Sequence, residues 1–186
     1  MRSGLTKKIT LAAILSSLGI VFLAIGSFIE VLDLSSAAFA GFALVIAVIE
    51  LGGYYPVLMY CVISILAILI LPNKYPALFF IFFGGFYPIF KAYIERFHYV
   101  AAWIVKFSMF NLFLAVMILL IKFLTGTGML PFFDGGDFNN NLFGNFKIIV
   151  FVVANFTFLL YDIAMTKIIN LYIVKIRGLL GLKNYF

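Results

Sequence analysis

Long apolar stretches recur along most of the chain, and they restrict its fold more than any other feature. An α-helix of about 20 apolar residues crosses the hydrocarbon core of a bilayer. Most of the six stretches reach or approach this length, although the second is short. They run over Ile9–Phe28, Ala37–Ile49, Tyr54–Leu71, Ala77–Ile94, Ala101–Leu124 and Ile148–Val174. The pattern predicts an all-α polytopic membrane protein, with a single transmembrane domain of about six helices over residues 1–186.

The composition excludes a water-soluble fold. Of the 186 residues, 66% are hydrophobic and 11% are charged, whereas a soluble domain has roughly 25% charged residues. The apolar stretches are continuous, which excludes the alternating strands of a transmembrane barrel. The basic residues behind the net charge of +6 are spread over the chain and form no basic patch, so nucleic acid is not an expected partner. The lipid bilayer is the expected surrounding.

The distribution of Lys and Arg predicts the orientation of the helices. Three basic residues fall on one side of the predicted membrane: Lys74, Lys122 and Lys147. Ten fall on the other side: Arg2, Lys7, Lys8, Lys91, Arg96, Lys106, Lys167, Lys175, Arg177 and Lys183. Because basic residues accumulate in the cytoplasm, both termini are predicted to be cytoplasmic. The acidic residues of two outer connectors agree with this: Glu30, Asp33, Asp134 and Asp137.

Two segments need an assignment of their own. The connector Thr125–Lys147 is rich in Gly and Asn and contains Pro131. Turn-forming residues of this kind leave backbone groups unpaired in lipid, so we expect an extramembrane loop. The first apolar stretch is longer than the core of a secretory signal peptide, so we expect a retained helix.

Residues that carry chemistry are scarce. The single histidine, His98, stands beside Arg96 in a connector, and the single cysteine, Cys61, lies inside an apolar stretch. Asp134-Gly-Gly-Asp137 lacks the spacing and the terminal Glu of a calcium loop. We find no hydrolase, zinc-protease or phosphate-loop motif. The sequence therefore predicts no catalytic residue, no metal site, no cofactor and no enzymatic activity.

Small residues line one face of the first helix. Their helical spacing brings Ala12, Ser16 and Gly19 together, with Ala13 and Ser17 alongside. Small side chains allow helix backbones to approach closely in a membrane. This face therefore predicts either packing inside the protein or docking onto a separate membrane partner, and the sequence leaves both open.

Polar residues lie inside the fourth and sixth stretches. Tyr87, Lys91 and Glu95 share one face of the fourth helix, which predicts an i,i+4 ion pair or a gate. Asp162 lies near the middle of the sixth stretch, where a charge costs at least roughly 2.5–3.5 kcal/mol. We therefore expect it to face other helices, with Asn111 or Tyr161 as its partner. Glu50 ends the short second helix, where we expect interfacial solvation.

The first helix carries a family resemblance. Its segment KKITLAAILSSLGIVF resembles the opening of substrate-binding S components of energy-coupling factor (ECF) vitamin transporters, which are bacterial six-helix proteins with both termini inside. Their Ala-x-x-x-Ala motif packs on a transmembrane coupling subunit, and Ala12-x-x-x-Ser16 and Ala13-x-x-x-Ser17 stand in its place here. The segment LPNKYPALFFIFFGGFYPIFKAYIER also resembles uncharacterised bacterial membrane proteins of this shape.

The resemblance implies a binding subunit in a bacterial plasma membrane that takes up a small vitamin-like solute, powered by partner ATPases. Its pocket would draw on polar residues of the outer connectors and helix ends and of the helix interiors: Glu30, Asp33, Asn73, Lys74, Asn111, Asn155 and Asp162. The alternative is a structural membrane protein without transport activity, such as a cell-shape or assembly factor of the MreD type. The ligand is not predicted.

Overall fold

A computed structural model describes residues 2–95, 99–125 and 140–176; within these ranges it leaves out the side chains of residues 2–4, 30, 99, 121–125, 140–148, 150 and 176. Every described element is helical. The α-helices are α1 (Arg2–Phe28), α2 (Asp33–Glu50), α3 (Tyr55–Ile70), α4 (Tyr75–Phe79), α5 (Phe86–Ile94), α6 (Tyr99–Thr125) and α7 (Asn140–Leu171). A short 3-10 turn, Glu30–Leu32, precedes α2, and π-helical turns follow α4 (Phe80–Gly84) and α7 (Tyr172–Ile176).

Five helical segments in the described ranges are long and apolar enough to cross a membrane. They are Leu5–Phe28, Asp33–Glu50, Tyr75–Ile94, Val100–Leu120 and Phe151–Lys175. The remaining apolar helix, α3, has 16 residues. The prediction of an all-helical, multi-pass membrane protein is therefore confirmed, while the count of six spans stays a prediction. Large apolar side chains on many helix faces are exposed, as lipid contact requires.

Proline and glycine set the ends of α3. Pro56 occupies its first turn, where the missing N–H costs nothing, and Pro72 lies two residues beyond its last residue. Gly52 and Gly53 both have positive φ, +59° and +57°, which reverses the chain between α2 and α3. One predicted boundary was wrong: α7 begins at Asn140, so residues 140–147 are helical and not loop. The Asn residues there cost less than about 1 kcal/mol each in helix propensity, and the long apolar stretch outweighs this.

The described residues form two compact units, which divide after Ala102, inside α6. In unit 1 the core is built on small residues of α2. Ala37, Ala40, Ala43 and Ala47 are all buried there, packed with larger side chains such as Leu44. The small residues let α1, α3 and the α4–α5 segment lie close to α2. The prediction of one transmembrane domain covers both units and stays a prediction.

A close backbone contact in unit 1 joins α2 to the π-helical turn after α4. A Cβ atom added at Gly41 would collide with the Gly84 carbonyl oxygen, and one added at Gly84 would collide with the Ala37 carbonyl oxygen. The two backbones therefore touch directly, in the geometry of Cα–H···O contacts between helices. Pro88, four residues beyond Gly84, has no N–H to donate to the Gly84 carbonyl, which favours the irregular turn at this point.

Candidate functional site

The polar residues predicted to bind solute fall into both units. Asp33, Asn73 and Lys74 lie in unit 1, whereas Asn111, Asn155 and Asp162 lie in unit 2. The backbone of Glu30 is described but its side chain is outside the described side chains. We therefore examine the two groups separately.

A buried ion pair joins α6 and α7 in unit 2. The Lys106 ammonium lies 3.2 Å from Oδ1 and 3.3 Å from Oδ2 of Asp162. Both residues are only 3% exposed. The Trp103 ring lies beside the same ammonium, with 5.3 Å between Nζ and the ring centroid, a distance at which the ring face attracts a cation. We call this contact the ion pair.

This arrangement corrects the expected partner of Asp162. The sequence predicted Asn111 or Tyr161, but the carboxylate accepts hydrogen bonds from Lys106 at both of its oxygens. The orientation prediction places Lys106 among the cytoplasmic basic residues. In the structure Lys106 is the eighth residue of α6 and its side chain is buried. The missed signal was its position inside the apolar stretch Ala101–Leu124, where a lysine needs an acidic partner.

A pair of amides forms a second polar contact between the same helices. Asn111 donates to Oδ1 of Asn155 over 3.0 Å, and Asn155 donates back to Oδ1 of Asn111 over 3.2 Å. Each amide also donates to a backbone carbonyl four residues earlier, on Phe107 and Phe151. We call Asn111 and Asn155 the amide pair.

Aromatic rings separate the ion pair from the amide pair. Phe158 stacks on Phe110 at 4.4 Å between centroids and meets Phe107 edge-on at 5.6 Å. Along the helix axes the two polar pairs are about 7.5 Å apart on α6 and about 10 Å apart on α7, from the rise per residue. Unit 2 thus has a charged layer, an aromatic layer and an amide layer between two apolar helices.

Chemically, this arrangement can donate and accept hydrogen bonds beside aromatic surface. The ion pair offers one strong donor and one strong acceptor, the amide pair offers both donors and acceptors, and the rings offer flat apolar surface. Ligand sites combine apolar and aromatic walls with a few polar groups in this way. The Thr166 hydroxyl donates to the backbone carbonyl of Asp162 over 2.9 Å, which keeps it on the same face of α7.

The polar residues of unit 1 bind one another at the turn formed by residues 71–74. The Ser27 hydroxyl donates to the Asn73 carbonyl over 3.1 Å and accepts from the Asn73 N–H over 2.9 Å. The Asn73 amide reaches Oδ1 of Asp33 at 3.4 Å. Lys74 donates to the carbonyls of Ile68 and Leu71 at the end of α3. These contacts tie the turn to α1, α2 and α3.

The opposite end of unit 1 holds the residues predicted to form an ion pair or a gate. Lys91 Nζ lies 2.9 Å from Oε1 of Glu95, as their spacing predicts, and 5.8 Å from the centroid of the Tyr87 ring. Lys91 and Tyr87 are buried, whereas Glu95 is 44% exposed. Glu50 is also buried, so the expected interfacial solvation was wrong; α2 packs against neighbouring elements along its length, and its last residue is enclosed with it.

The small-residue face of α1 divides between the inside and the outside of unit 1. Ser16 and Gly19 are buried, and Gly19 faces Ile63 of α3, whose Cδ1 lies 3.1 Å from the position of an added Cβ. Ala12 packs partly against the same core. Ala13 and Ser17 are exposed. The first group therefore packs within the protein, and the exposed pair is the part of the predicted docking face that is open to a partner.

A cavity in unit 1 lies between the Gly52–Gly53 turn and the end of α5, against Ile89 and Tyr93. Its volume is about 90 Å³, below the roughly 300–1,000 Å³ of small-molecule sites. Within the described ranges, no three His, Cys, Asp or Glu side chains come together as a metal site requires. Neither feature adds a ligand site to the polar groups above.

Comparison of the chain with protein-family models, curated proteins and solved structures finds no match in any of the three. The function is therefore inferred from the residues and contacts of this chain.

Proposed function

We propose that this chain is the solute-binding membrane subunit of a transporter, and that the ion pair and the amide pair of unit 2 bind the solute. The observation that carries the proposal is the buried contact between Lys106 and Asp162 on two apolar helices. Ionisable groups inside a membrane are expensive and mark substrate or ion pathways. Three of the predicted solute-binding residues take part in contacts across this same helix pair: Asn111 and Asn155 bond to each other, and Asp162 bonds to Lys106.

In this proposal the solute is small and vitamin-like, as the resemblance to ECF S components implies. Both termini are cytoplasmic, in a bacterial plasma membrane, and partner ATPases supply the energy through a transmembrane coupling subunit. The exposed residues Ala13 and Ser17 of α1 are the proposed contact with that subunit. Lys91 and Glu95 then lie at the cytoplasmic end of unit 1, where charged side chains reach the interface.

The test is purification of the protein from its native membrane, followed by mass spectrometry of the co-eluting small molecules and proteins. We expect a bound solute and a co-purifying ATPase. The variants Ala13→Leu and Ser17→Leu should lose the ATPase and keep the solute, because both residues are exposed in the isolated chain. Absence of both the solute and the ATPase would refute the transporter proposal.

A second candidate is a structural membrane protein of the MreD type. The observation that favours it is at the 71–74 turn, where the polar groups of Ser27, Asp33 and Asn73 hydrogen-bond to one another and fix three helices. A scaffold uses such groups for rigidity, and its partners are other membrane proteins. Co-purification of membrane proteins without any solute or ATPase would support this candidate over the transporter.

A further inference from the structure

The ion pair of unit 2 has a loose geometry for two opposite charges. Its N···O distances of 3.2 and 3.3 Å exceed the roughly 2.7–2.9 Å of strong charge-assisted hydrogen bonds. The ammonium is shared between both carboxylate oxygens, and the pair as a whole is neutral. A carboxylate of a solute can therefore replace Asp162 beside Lys106, and an ammonium of a solute can replace Lys106 beside Asp162.

We propose that the solute bound in unit 2 is a zwitterion, with an ammonium and a carboxylate on the same or adjacent carbon atoms. Its carboxylate takes the place of Asp162 beside Lys106, and its ammonium takes the place of Lys106 beside Asp162. No covalent bond changes, and one ion pair becomes two. This inference rests on the proposed function and adds the charge class of the solute.

The balance of buried charge decides which solutes can bind at the ion pair. A solute with a single charge that displaced one partner would change the buried charge at the ion pair by one. A zwitterion leaves that charge unchanged, because it brings one group of each sign. Buried charge is the most costly group to place among apolar side chains, and it is tolerated when paired. The site therefore discriminates by the number and sign of charges on the solute.

The surroundings of the ion pair fit the rest of such a molecule. The Trp103 ring beside Lys106 stacks on Phe107, and Phe158 meets Phe107 edge-on, so the three rings give an apolar aromatic wall next to the charges. The amide pair lies about 7.5–10 Å further along the helices, within reach of a polar group at the far end of the solute. An amino acid with an apolar or aromatic side chain has this distribution of charge and apolar surface.

The experiment is a thermal-unfolding screen of the full chain in detergent with the twenty amino acids, each at about 10 mM, so that a Kd near 0.1 mM gives a clear shift. Leucine is compared with 4-methylpentanoate and isopentylamine, and phenylalanine with 3-phenylpropanoate and 2-phenylethylamine. Each analogue lacks one of the two charges. We expect at least one amino acid to raise the Tm, and the single-charge analogues to bind at least about tenfold more weakly. A single-charge analogue that stabilises as well as its amino acid, or no shift with any compound, would overturn the inference.

Variants assign the effect to the ion pair. Lys106→Met combined with Asp162→Leu removes both charges and leaves an apolar contact, so the protein should fold and lose the shift. Lys167→Met is the matched control, since it removes an exposed lysine from the same helix as Asp162 and should keep the shift. A shift that survives in the double variant would place the binding elsewhere. Discovery of a co-eluting solute with one charge would overturn this inference and leave the proposed function intact.

Discussion

The two units hold their helices together by different means. In unit 1 small residues bring backbones into contact, as at Gly41 and Gly84, and alanines of α2 line the core. In unit 2 the helices meet through the ion pair and the amide pair, with aromatic rings between them. Close packing depends on shape and is indifferent to pH or solutes. A buried charge contact responds to both, so we expect the contact between α6 and α7 to be more sensitive to pH and solutes than the contact between Gly41 and Gly84.

Among the described residues, the buried lysines Lys91 and Lys106 differ in the same way. Lys91 finds Glu95 one turn away on its own segment, and that carboxylate is nearly half exposed. Lys106 finds its carboxylate on another helix, 56 residues away in sequence, and both groups are buried. The first ion pair forms within one helix, whereas the second exists only when α6 and α7 are together. Only the second couples charge to helix association.

Breaking the ion pair on one side should have the largest effect. Lys106→Met leaves the Asp162 carboxylate without its lysine in an apolar contact, and we expect the free energy of unfolding to fall by about 3–5 kcal/mol. Equilibrium unfolding in mixed micelles measures this. Lys106→Met with Asp162→Leu should recover most of the loss, because no charge is left buried. A double variant as unstable as the single one would show that packing, not charge, is lost.

Breaking the backbone contact of unit 1 should cost less. Gly41→Ala pushes a methyl group against the Gly84 carbonyl, and we expect a loss of about 1–3 kcal/mol by overpacking. Gly19→Ala is the matched control, because its methyl meets only the flexible end of Ile63 at 3.1 Å. The same unfolding assay compares them. Equal losses for both variants would contradict direct backbone contact at Gly41.

The amide pair should contribute a smaller amount. Asn111→Ala removes both amide–amide hydrogen bonds, and such interhelical bonds are worth on average about 0.6 kcal/mol and at most about 1.7 kcal/mol. A double-mutant cycle with Asn155→Ala isolates the pairwise part. Additive losses in that cycle would mean that the two amides are held independently by the carbonyls of their own helices.

The smallest effect should come from the ion pair of unit 1. Glu95→Gln removes the charge partner of Lys91 within one helix, and exposed i,i+4 pairs contribute about 0.3–0.5 kcal/mol. Because Glu95 is 44% exposed, we expect a loss below about 1 kcal/mol in the same assay. A loss as large as that of Lys106→Met would remove the distinction between the two buried lysines.

The positions of the helices could be predicted from hydropathy, since each apolar stretch became helical, with ends shifted by up to eight residues. Burial in lipid dominates the free energy of such stretches, and it depends only on the apolar residues within each stretch. The partner of Asp162 could not be predicted in this way. It lies 56 residues away, and the pattern of Lys and Arg that predicts orientation treats Lys106 like any other basic residue.

The candidate site was predicted as a list of polar residues and not as an arrangement. Asp162 was predicted because a charge is costly among apolar side chains, and Asn111 and Asn155 joined the predicted pocket through the family resemblance. Their division from Asp33 and Asn73 depends on which helices pack together. The spacing of side chains predicts which residues share one face of a helix, but it does not predict which other helix packs against that face. The start of α7 at Asn140 was missed for a related reason, since turn-forming residues were weighed without the long helix that follows them.

The π-helical turn at Phe80–Gly84 fixes the rotation of everything that follows it on the same segment. Such a turn contains one residue more than an α-helical turn, and its wider backbone takes up that residue without rotating the chain beyond it. Tyr87 and Lys91 point into unit 1 with that extra residue counted. Loss of a single residue between Phe80 and Gly84 would therefore convert the turn into regular α-helix and leave Lys91 on the buried face, so this turn tolerates a deletion that an ordinary helical turn would not.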